Sequence, residues 1–493
     1  MKSGLRAESP PRIGAMQELC DRDAVELRRL IGDREISPVE LLESCLRRIE
    51  AVNPVLNAVT AMAVERARAE ARAAEATVRA GDRLGPLHGL PIGIKDLQET
   101  EGIVTTQGSP LYRHHVPAAD ERMVAAVRRA GAIVVGKTNT PEFGAGAHTD
   151  NKVYGPTRNP FDLARTCGGS SGGSAVALAT GMLPLCTGSD TGGSLRIPAA
   201  FCGVVGFRPS PGLVANERRV LGWTPISVAG PMGRTVADAR LLLGAQIGAD
   251  SRDPFSWPVD AKSYAQAQEI DLGRLRVAVS EDLGGAPVDP SIRATLRARI
   301  ALIAGAFARC DWRDPDLRGA DAAFAAIRAQ NFLAGQRERY ERHRDKLGAY
   351  VRANYEEGLA MSALDVAEAH ATQTRILRNL ERFFEDHDLL ISPTVGIAPF
   401  AIEEGHARIV DGRVMRTYYS WLAPTYYLSL TGHPCISIPC GMEPSGTPFA
   451  LQITGPARKD AFVLDAAQAI EALLARDPRT RRPVPDVTSL GAA

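Results

Sequence analysis

Serine and glycine residues are concentrated in two short segments of this 493-residue chain, GGSSGGS at 168–174 and DTGGSLR at 190–196. A lysine, Lys95, lies upstream at the end of the apolar run 89–94. Serine hydroxyls can act as nucleophiles, and backbone N–H groups that no bulky side chain shields can stabilise an oxyanion. The combination predicts acyl-transfer chemistry in a serine hydrolase that has no catalytic histidine.

Lys95 is the candidate base for such a serine. A serine hydroxyl is a poor nucleophile until a base removes its proton, and lysine can do so only when it is neutral. That requires a pKa well below the ordinary value of about 10.4. Burial among Ile92, Ile94 and Leu97 would lower the pKa of Lys95, so its place in the sequence favours the role.

The composition is that of an ordinary soluble globular protein, with 45% apolar and 23% charged residues. A net charge of +1 gives no electrostatic reason to expect nucleic acid or an anionic membrane as a partner. No apolar run approaches the 18 residues or so that a membrane span needs. We therefore expect a small-molecule substrate, and the sequence leaves the oligomeric state open.

The eight cysteines are scattered and form no CxxC pair or zinc-ligand spacing. Residues 1–16 lack an apolar core and are expected to be a flexible N-terminal tail, not a signal peptide. We therefore expect reduced thiols in a cytoplasmic protein that needs no metal or other cofactor. Cys167, beside the first glycine segment, is expected to fill space at a tight turn and not to act as a nucleophile.

Apolar runs and helical patterns alternate along the chain, which predicts an α/β protein with a mixed sheet. Ser37, Pro38 and Glu40 form a capping box that predicts a helix start. The segment 250–290 is expected to be a peripheral crossing, and residues 476–493 a C-terminal surface tail. The predicted strands are 90–94, 132–135, 183–187, 388–394, 435–439 and 449–453, and the predicted helices include 21–32, 37–51, 60–80, 120–130, 174–181, one beginning at Ser194, 290–306 and 360–384.

The glycine segments and their surroundings admit three other interpretations. Residues 131–138 fit the P-loop pattern, but their central residues form a predicted strand whose N–H groups would not be free for phosphate. Residues 168–172 fit the nucleophile elbow of α/β-hydrolases, which also needs a histidine and leaves the second segment without a purpose. A purely structural role for the glycines is the third. The histidines available to an elbow are His343, His370, His387, His406 and His433.

The two segments together with Lys95 and Asp96 closely resemble the amidase signature family. The resemblance is strongest from 87 to about 238, including GKTNTPE at 136–142 and GFRP at 206–209, and weaker similarity extends from 21 to about 470. The family fold is one large α/β domain with a central mixed β-sheet covered by helices. The resemblance thus implies one domain at 17–475, with the tails 1–16 and 476–493 outside it.

The resemblance also implies a role for each residue that matches the family's motif. Ser194 corresponds to the nucleophile, Ser170 to a bridging serine reached through a cis Gly169–Ser170 peptide bond, and Lys95 to the base. In this triad Ser170 relays the proton from Ser194 to Lys95 and later to the leaving amine. The oxyanion hole corresponds to Thr191, Gly192, Gly193 and Ser194, the supporting residues to Ser171, Asp190 and Arg196, and the substrate-binding loop to Gly144, Ala145 and Gly146.

The family hydrolyses amides through an acyl-enzyme, and some members cleave carbamates (urethanes), esters or ureas. One branch is an amidotransferase subunit that releases ammonia from glutamine inside a complex, and it typically carries glutamine where this chain has Ile197. A stand-alone amidase of the urethanase-like branch is therefore the first expectation, and the amidotransferase subunit is the alternative.

Five aromatic residues fall within ten positions at 418–427. They fit either a helix packed on the core or an aromatic wall that recognises aryl acylamides or aromatic carbamates. The sequence leaves both interpretations open. The five are Tyr418, Tyr419, Trp421, Tyr426 and Tyr427.

Overall fold

The computed structural model describes residues 18–490. Its centre is one mixed sheet of eleven strands in the order β1-β3-β2-β4-β6-β5-β10-β11-β9-β7-β8. In chain order the strands are β1 Val59–Met62, β2 Pro91–Lys95, β3 Ile133–Thr138, β4 Leu185–Asp190, β5 Val205–Arg208, β6 Val228–Gly233, β7 Arg276–Val279, β8 Arg309–Trp312, β9 Leu389–Pro393, β10 Cys435–Met442 and β11 Pro448–Thr454.

Helices cover the sheet, which agrees with the expected α/β domain with a central mixed sheet. In chain order they are α1 Ala24–Gly32, α2 Pro38–Leu56, α3 Val64–Ala80, α4 Arg122–Arg129, α5 Gly172–Ala179, α6 Arg196–Cys202, α7 Val236–Gln246, α8 Lys262–Ala265, α9 Pro290–Ile303, α10 Ala320–His343, α11 Ala349–Leu359, α12 Ala363–Asp386, α13 Ala423–Thr431, α14 Asp460–Leu474 and α15 Val487–Leu490.

The capping box predicted at the start of α2 is present. The Ser37 hydroxyl accepts a hydrogen bond from Val39 N at 3.0 Å, and the Glu40 carboxylate accepts one from Ser37 N at 2.9 Å. Two N–H groups that the first helical turn would leave without acceptors are thereby satisfied. The local sequence alone therefore fixes where this helix begins.

Strands β2 and β4 are parallel neighbours, with Ile92 opposite Leu185 and Gly93 opposite Cys186. Because both run in the same direction, their carboxyl ends meet at one edge of the sheet. Lys95 is the last residue of β2 and Asp190 the last of β4. The topology therefore brings the predicted base next to the start of the second glycine segment.

The P-loop interpretation of residues 131–138 is wrong. Residues Ile133–Thr138 form strand β3, which pairs with β1 on one side and with β2 on the other. Its N–H groups belong to a sheet, and the side chain of Lys137 is fully buried. No phosphate cradle can form from this backbone.

The chain ends differ in what the structure says of them. The predicted flexible tail 1–16 lies outside the described residues. The segment after 476 is not simply a surface tail, because Thr480 and Leu490 are buried and Arg482 Nε donates to Gly203 O at 3.0 Å. A short apolar helix, α15, carries Leu490 against α2, which the Arg- and Pro-rich composition concealed.

Across residues 18–490, none of the helices combines the length and apolar character of a membrane span. The eight cysteines are all unpaired thiols. Burial raises the pKa of the Cys167 thiol to about 12, so this thiol stays protonated and inert at neutral pH. This agrees with the space-filling role expected for Cys167.

Candidate active site

Lys95 is fully buried, and three serine hydroxyls surround its amine. Lys95 Nζ lies 2.8 Å from Ser170 Oγ, 2.8 Å from Ser171 Oγ and 3.0 Å from Ser189 Oγ. Ser170 and Ser171 come from the first glycine segment, and Ser189 from the end of β4. The fold thus places the amine among groups that can both accept and donate protons.

Burial lowers the pKa of the Lys95 amine to about 7, against a smaller opposing effect of the Asp190 carboxylate. The ammonium form loses its hydration inside the protein, and the hydroxyls that replace water carry no compensating charge. A substantial neutral fraction at neutral pH follows, which is the condition for a lysine base.

The first glycine segment presents Ser170 to this amine. Ser170 is 2% exposed, and the peptide bond that precedes it, Gly169–Ser170, is cis, as the resemblance implied. Helix α5 begins at Gly172, and a Cβ at Gly173 would lie 2.2 Å from Asn139 N, so only glycine allows this close approach. The segment is a tight turn built into the core, and not a flexible linker.

The second glycine segment carries Ser194, which is less buried than Ser170 and so accessible to a ligand. Ser194 O accepts a hydrogen bond from Ser171 N at 3.3 Å, which joins the two segments directly. Helix α6 begins at Arg196, two residues later than expected, because residues 191–195 form a turn. The predicted nucleophile therefore lies on the turn before the helix.

One predicted oxyanion donor is already occupied. Gly193 N donates to the Asp190 carboxylate at 2.9 Å, so this N–H is not available to an oxyanion in this arrangement. The predicted donor set is corrected to the N–H groups of Thr191, Gly192 and Ser194. Glycine remains required at 193, where φ is +121° and a Cβ would lie 2.3 Å from Thr425 Oγ1.

Asp190 is the centre of a buried charge network that holds the second turn. Its carboxylate accepts from Arg196 Nε and Nη2, both at 3.0 Å, and from Arg208 Nη1 at 3.1 Å. Burial alone would raise the pKa of this carboxyl, but the two guanidiniums hold it well below its ordinary value. Asp190 is thus a permanently charged brace, as expected, and not an acid catalyst.

Arg208 and Ser189 also belong to the site, although the sequence pointed to no role for either. Arg208 lies within the GFRP motif at 206–209, and its guanidinium also donates to Asp190 O at 2.6 Å. A charged residue at the end of an apolar run was the available signal for Arg208. No comparable signal marks Ser189, because its contact with Lys95 depends on the pairing of β4 with β2.

The predicted substrate-binding loop lies beside the bridging serine. A Cβ at Gly144 would lie 3.5 Å from Ser170 Oγ and 3.0 Å from Leu97 Cδ1, so the bare backbone comes close to the hydroxyl cluster. Gly146 N donates to Gly144 O at 3.1 Å. On its other side, Ala145 lines a cavity of about 320 Å³ together with His148 and Tyr350.

The aromatic residues at 418–427 are core residues, and each of the five is at most 6% exposed. The tyrosine hydroxyls are occupied, for example Tyr419 with Glu357 at 2.6 Å and Tyr427 with Asp321 at 3.1 Å. The segment supports the second turn from behind, where Thr425 Oγ1 donates to Gly192 O at 2.6 Å. The core interpretation is therefore favoured over the aromatic wall.

The five histidines considered for an elbow have other partners. His370 contacts Gln330 at 3.0 Å, His406 contacts the Tyr350 hydroxyl at 2.9 Å, and His433 contacts Glu381 at 2.9 Å. His387 lies near Phe383 O, and His343 is exposed at the end of α10. The base next to Ser170 is Lys95. Over residues 18–490, no three His, Cys, Asp or Glu side chains gather as a possible metal site.

Comparisons with known proteins agree with this geometry. A family model described as Amidase matches residues 40–464. An acylamidase of Rhodococcus erythropolis is 34% identical over 91% of this chain and 95% of its own length. A glutamyl-tRNA(Gln) amidotransferase subunit of Acidothermus cellulolyticus is 36% identical over 93% and 95%. The crystal structure of a bacterial aryl acylamidase is 28% identical with a TM-score of 0.86, covering 96% of this chain and 98% of that one.

Proposed function

Since the chain belongs to the amidase signature family, whose members hydrolyse amides, we propose that it is a stand-alone amidase that works through an acyl-enzyme on Ser194. The observation that carries the proposal is the buried Lys95 amine, 2.8 Å from Ser170 Oγ and with its pKa lowered by burial to about 7. Such an amine can accept a proton at neutral pH.

In the proposed acylation step, Ser194 Oγ attacks the amide carbonyl carbon and passes its proton to Ser170, while Ser170 passes its own proton to Lys95. The carbonyl oxygen becomes an oxyanion, which the N–H groups of Thr191, Gly192 and Ser194 stabilise. When the C–N bond breaks, the proton returns from Lys95 through Ser170 to the leaving nitrogen. The products of this step are the free amine and an acyl ester of Ser194.

In the proposed deacylation step, water attacks the acyl ester and gives its proton through Ser170 to Lys95. The tetrahedral intermediate collapses, the carboxylic acid leaves, and Ser194 recovers its proton. The same donors stabilise both oxyanions, which form at the same place. Neither step requires a metal, a nucleotide or a second protein.

The finer proposal on substrate is that small aryl acylamides and aromatic carbamates are cleaved. It is supported by the names of the acylamidase and aryl acylamidase relatives. The aromatic segment at 418–427 adds no support, because its residues are buried in the core. Carbamates and esters enter the proposal because they form the same kind of acyl-enzyme.

The amidotransferase subunit is the second candidate, because a relative of that name is 36% identical to the chain. Ile197 argues against it. This side chain is 1% exposed, at a position where that branch typically carries glutamine, and it packs against Gly193. An aliphatic side chain there cannot form the hydrogen bonds of an amide.

A turnover screen of the purified chain separates the two candidates. We expect hydrolysis of 4-nitroacetanilide or an aryl carbamate without added protein, and little hydrolysis of glutamine. Ser194→Ala is the matched inactive control. Glutamine hydrolysis that appears only with a second protein would favour the amidotransferase interpretation instead.

A further inference from the structure

A second cavity, of about 410 Å³, shares a wall with the proposed proton relay. It lies between the segment after β2, the neighbouring ends of β4 and β6, and the loop at 215–220, and Gln336 and Arg339 of α10 close it. Ser189 lines this cavity, and the Ser189 hydroxyl is 3.0 Å from Lys95 Nζ. One hydroxyl therefore separates the catalytic amine from the space inside.

The wall of this cavity is polar and carries three carboxyl groups. Glu99 is neutralised, because its carboxylate lies 3.0 Å from His115 Nε2 and 4.0 Å from Arg218 Nη2. Glu121 and Glu217 face the cavity without a cation of this kind among the described residues. These two carboxyls are the groups that a ligand could neutralise.

Each of these two carboxyls uses one oxygen for a backbone bond. Glu121 Oε2 accepts from Glu99 N at 3.0 Å, and Glu217 Oε1 accepts from Arg122 N at 2.9 Å. Within residues 18–490, the other oxygen of each carboxyl is left for a ligand. Glu121 is therefore oriented by the backbone while keeping acceptor capacity toward the cavity.

The guanidinium of Arg339 does not cancel this charge. Its Nε and Nη2 donate to the Tyr112 hydroxyl at 3.0 and 2.8 Å, and it lies over the Tyr112 and Phe143 rings. These contacts turn the guanidinium toward the aromatic rings. Burial raises the pKa of the Glu121 carboxyl to about 7, and the neighbouring Glu217 charge adds to this rise. A bound cation would relieve both effects.

We propose that this cavity receives the leaving-amine half of the substrate and favours amines that carry a second, cationic amino group, which Glu121 and Glu217 would bind. The inference rests on the proposed amidase function. In that mechanism the proton held by Lys95 returns to the departing nitrogen, so this nitrogen must lie beside the relay. The cavity behind Ser189 is the polar space that adjoins the relay.

The test compares two amides that differ only at the far end of the amine, N-(5-aminopentyl)acetamide and N-hexylacetamide. We expect kcat/KM for the aminopentyl amide to exceed that for the hexyl amide at least tenfold at pH 8. Glu121→Gln and Glu217→Gln should each reduce this ratio at least fivefold. Glu281→Gln, which lines a different cavity, is the matched control and should leave the ratio unchanged.

Binding to the Ser194→Ala protein, measured by calorimetry, examines the cavity without turnover. The aminopentyl amide should bind at least tenfold more tightly than the hexyl amide, and Glu217→Gln in that background should remove the difference. Glu217 lies on a partly exposed loop, so this variant is expected to fold even if Glu121→Gln does not. Equal binding of the two amides, or a preference that survives Glu217→Gln, would overturn the inference. Preferential binding without any hydrolysis by the unmodified chain would instead overturn only the proposed function.

Discussion

Two fully buried lysines occupy neighbouring strands, and their surroundings differ in kind. Lys95, at the end of β2, contacts three serine hydroxyls. Lys137, in β3, donates to the Gln98 carbonyl and to Thr100 Oγ1, and carboxyls lie nearby. Burial lowers both pKa values, to about 7 for Lys95 and to about 8 for Lys137.

The difference lies in what opposes the effect of burial. For Lys137 several carboxyls oppose it, led by Asp96 and Glu121. For Lys95 only Asp190 does, and two guanidiniums engage that carboxylate. Hydroxyl partners accept either protonation state of an amine, whereas carbonyl and carboxylate partners favour the charged state. Burial alone therefore does not make a lysine a base, and the partners decide its role.

The largest difference between the two lysines is expected in activity. Lys95→Met should reduce kcat/KM for 4-nitroacetanilide by roughly 10⁴-fold, because no base remains for Ser170 and Ser194. Lys137→Met should reduce it less than tenfold, since Lys137 acts only on the position of the loop after β2. Equal losses in the two variants would break the distinction.

The two substitutions should change stability in opposite directions. At pH 7, Lys95→Met removes a buried amine whose pKa is depressed and should raise the free energy of unfolding by roughly 3 kcal/mol. Lys137→Met leaves the Gln98 carbonyl without its donor and should lower the free energy of unfolding by about 2 kcal/mol. Urea denaturation monitored by circular dichroism measures both. A loss of stability in Lys95→Met would contradict the account.

Activity should depend on pH through Lys95. Below pH 7 the rate of acylation should rise about tenfold per pH unit, because the neutral fraction of Lys95 rises, and it should level off above the pKa of about 7. Stability follows the same group. The folded-state pKa lies below the ordinary 10.5, so the unfolded chain holds the extra proton between about pH 7 and 10.5. The contribution of Lys95 to the free energy of unfolding should therefore increase with pH across that window, and Lys95→Met should abolish this increase.

The smallest effect is expected at a single hydroxyl beside each lysine. Ser189→Ala removes one of the three hydroxyls around Lys95 and should lower kcat for the anilide about fivefold, with a measurable shift of the pH profile. Thr100→Val removes the hydroxyl beside Lys137 and should leave that profile in place. A shifted profile in Thr100→Val would mean that the two lysines are coupled.

The central strands could be predicted because their apolar runs are short and bounded by glycine and proline. Predicted strands 90–94 and 132–135 correspond to Pro91–Lys95 and Ile133–Thr138. Strand β8, Arg309–Trp312, was missed because it is a partly exposed edge strand with a polar sequence. Strand β7 was hidden by the Asp- and Pro-rich segment before it, where only a peripheral crossing was expected.

Contacts within the site were predictable to a different extent. The motif resemblance identified Lys95, Ser170 and Ser171, which the structure brings together. It did not reveal that Gly193 N bonds to Asp190, because that depends on the path of one turn. Nor could it reveal Ser189 beside Lys95, which depends on the register of β2 against β4. Local sequence identifies the reacting groups, and long-range pairing decides what surrounds them.

The most direct test of the account is covalent labelling by a fluorophosphonate, followed by peptide mapping and by the pH dependence of the labelling rate. We predict one adduct, on Ser194, that forms at a rate rising with pH to a plateau with a midpoint near the Lys95 pKa of about 7. Lys95→Met should label at least a thousandfold more slowly, while Lys137→Met should label at nearly the unmodified rate. An adduct on Ser170, or a labelling rate that does not change between pH 5.5 and 8.5, would contradict the claim that a neutral Lys95 activates Ser194.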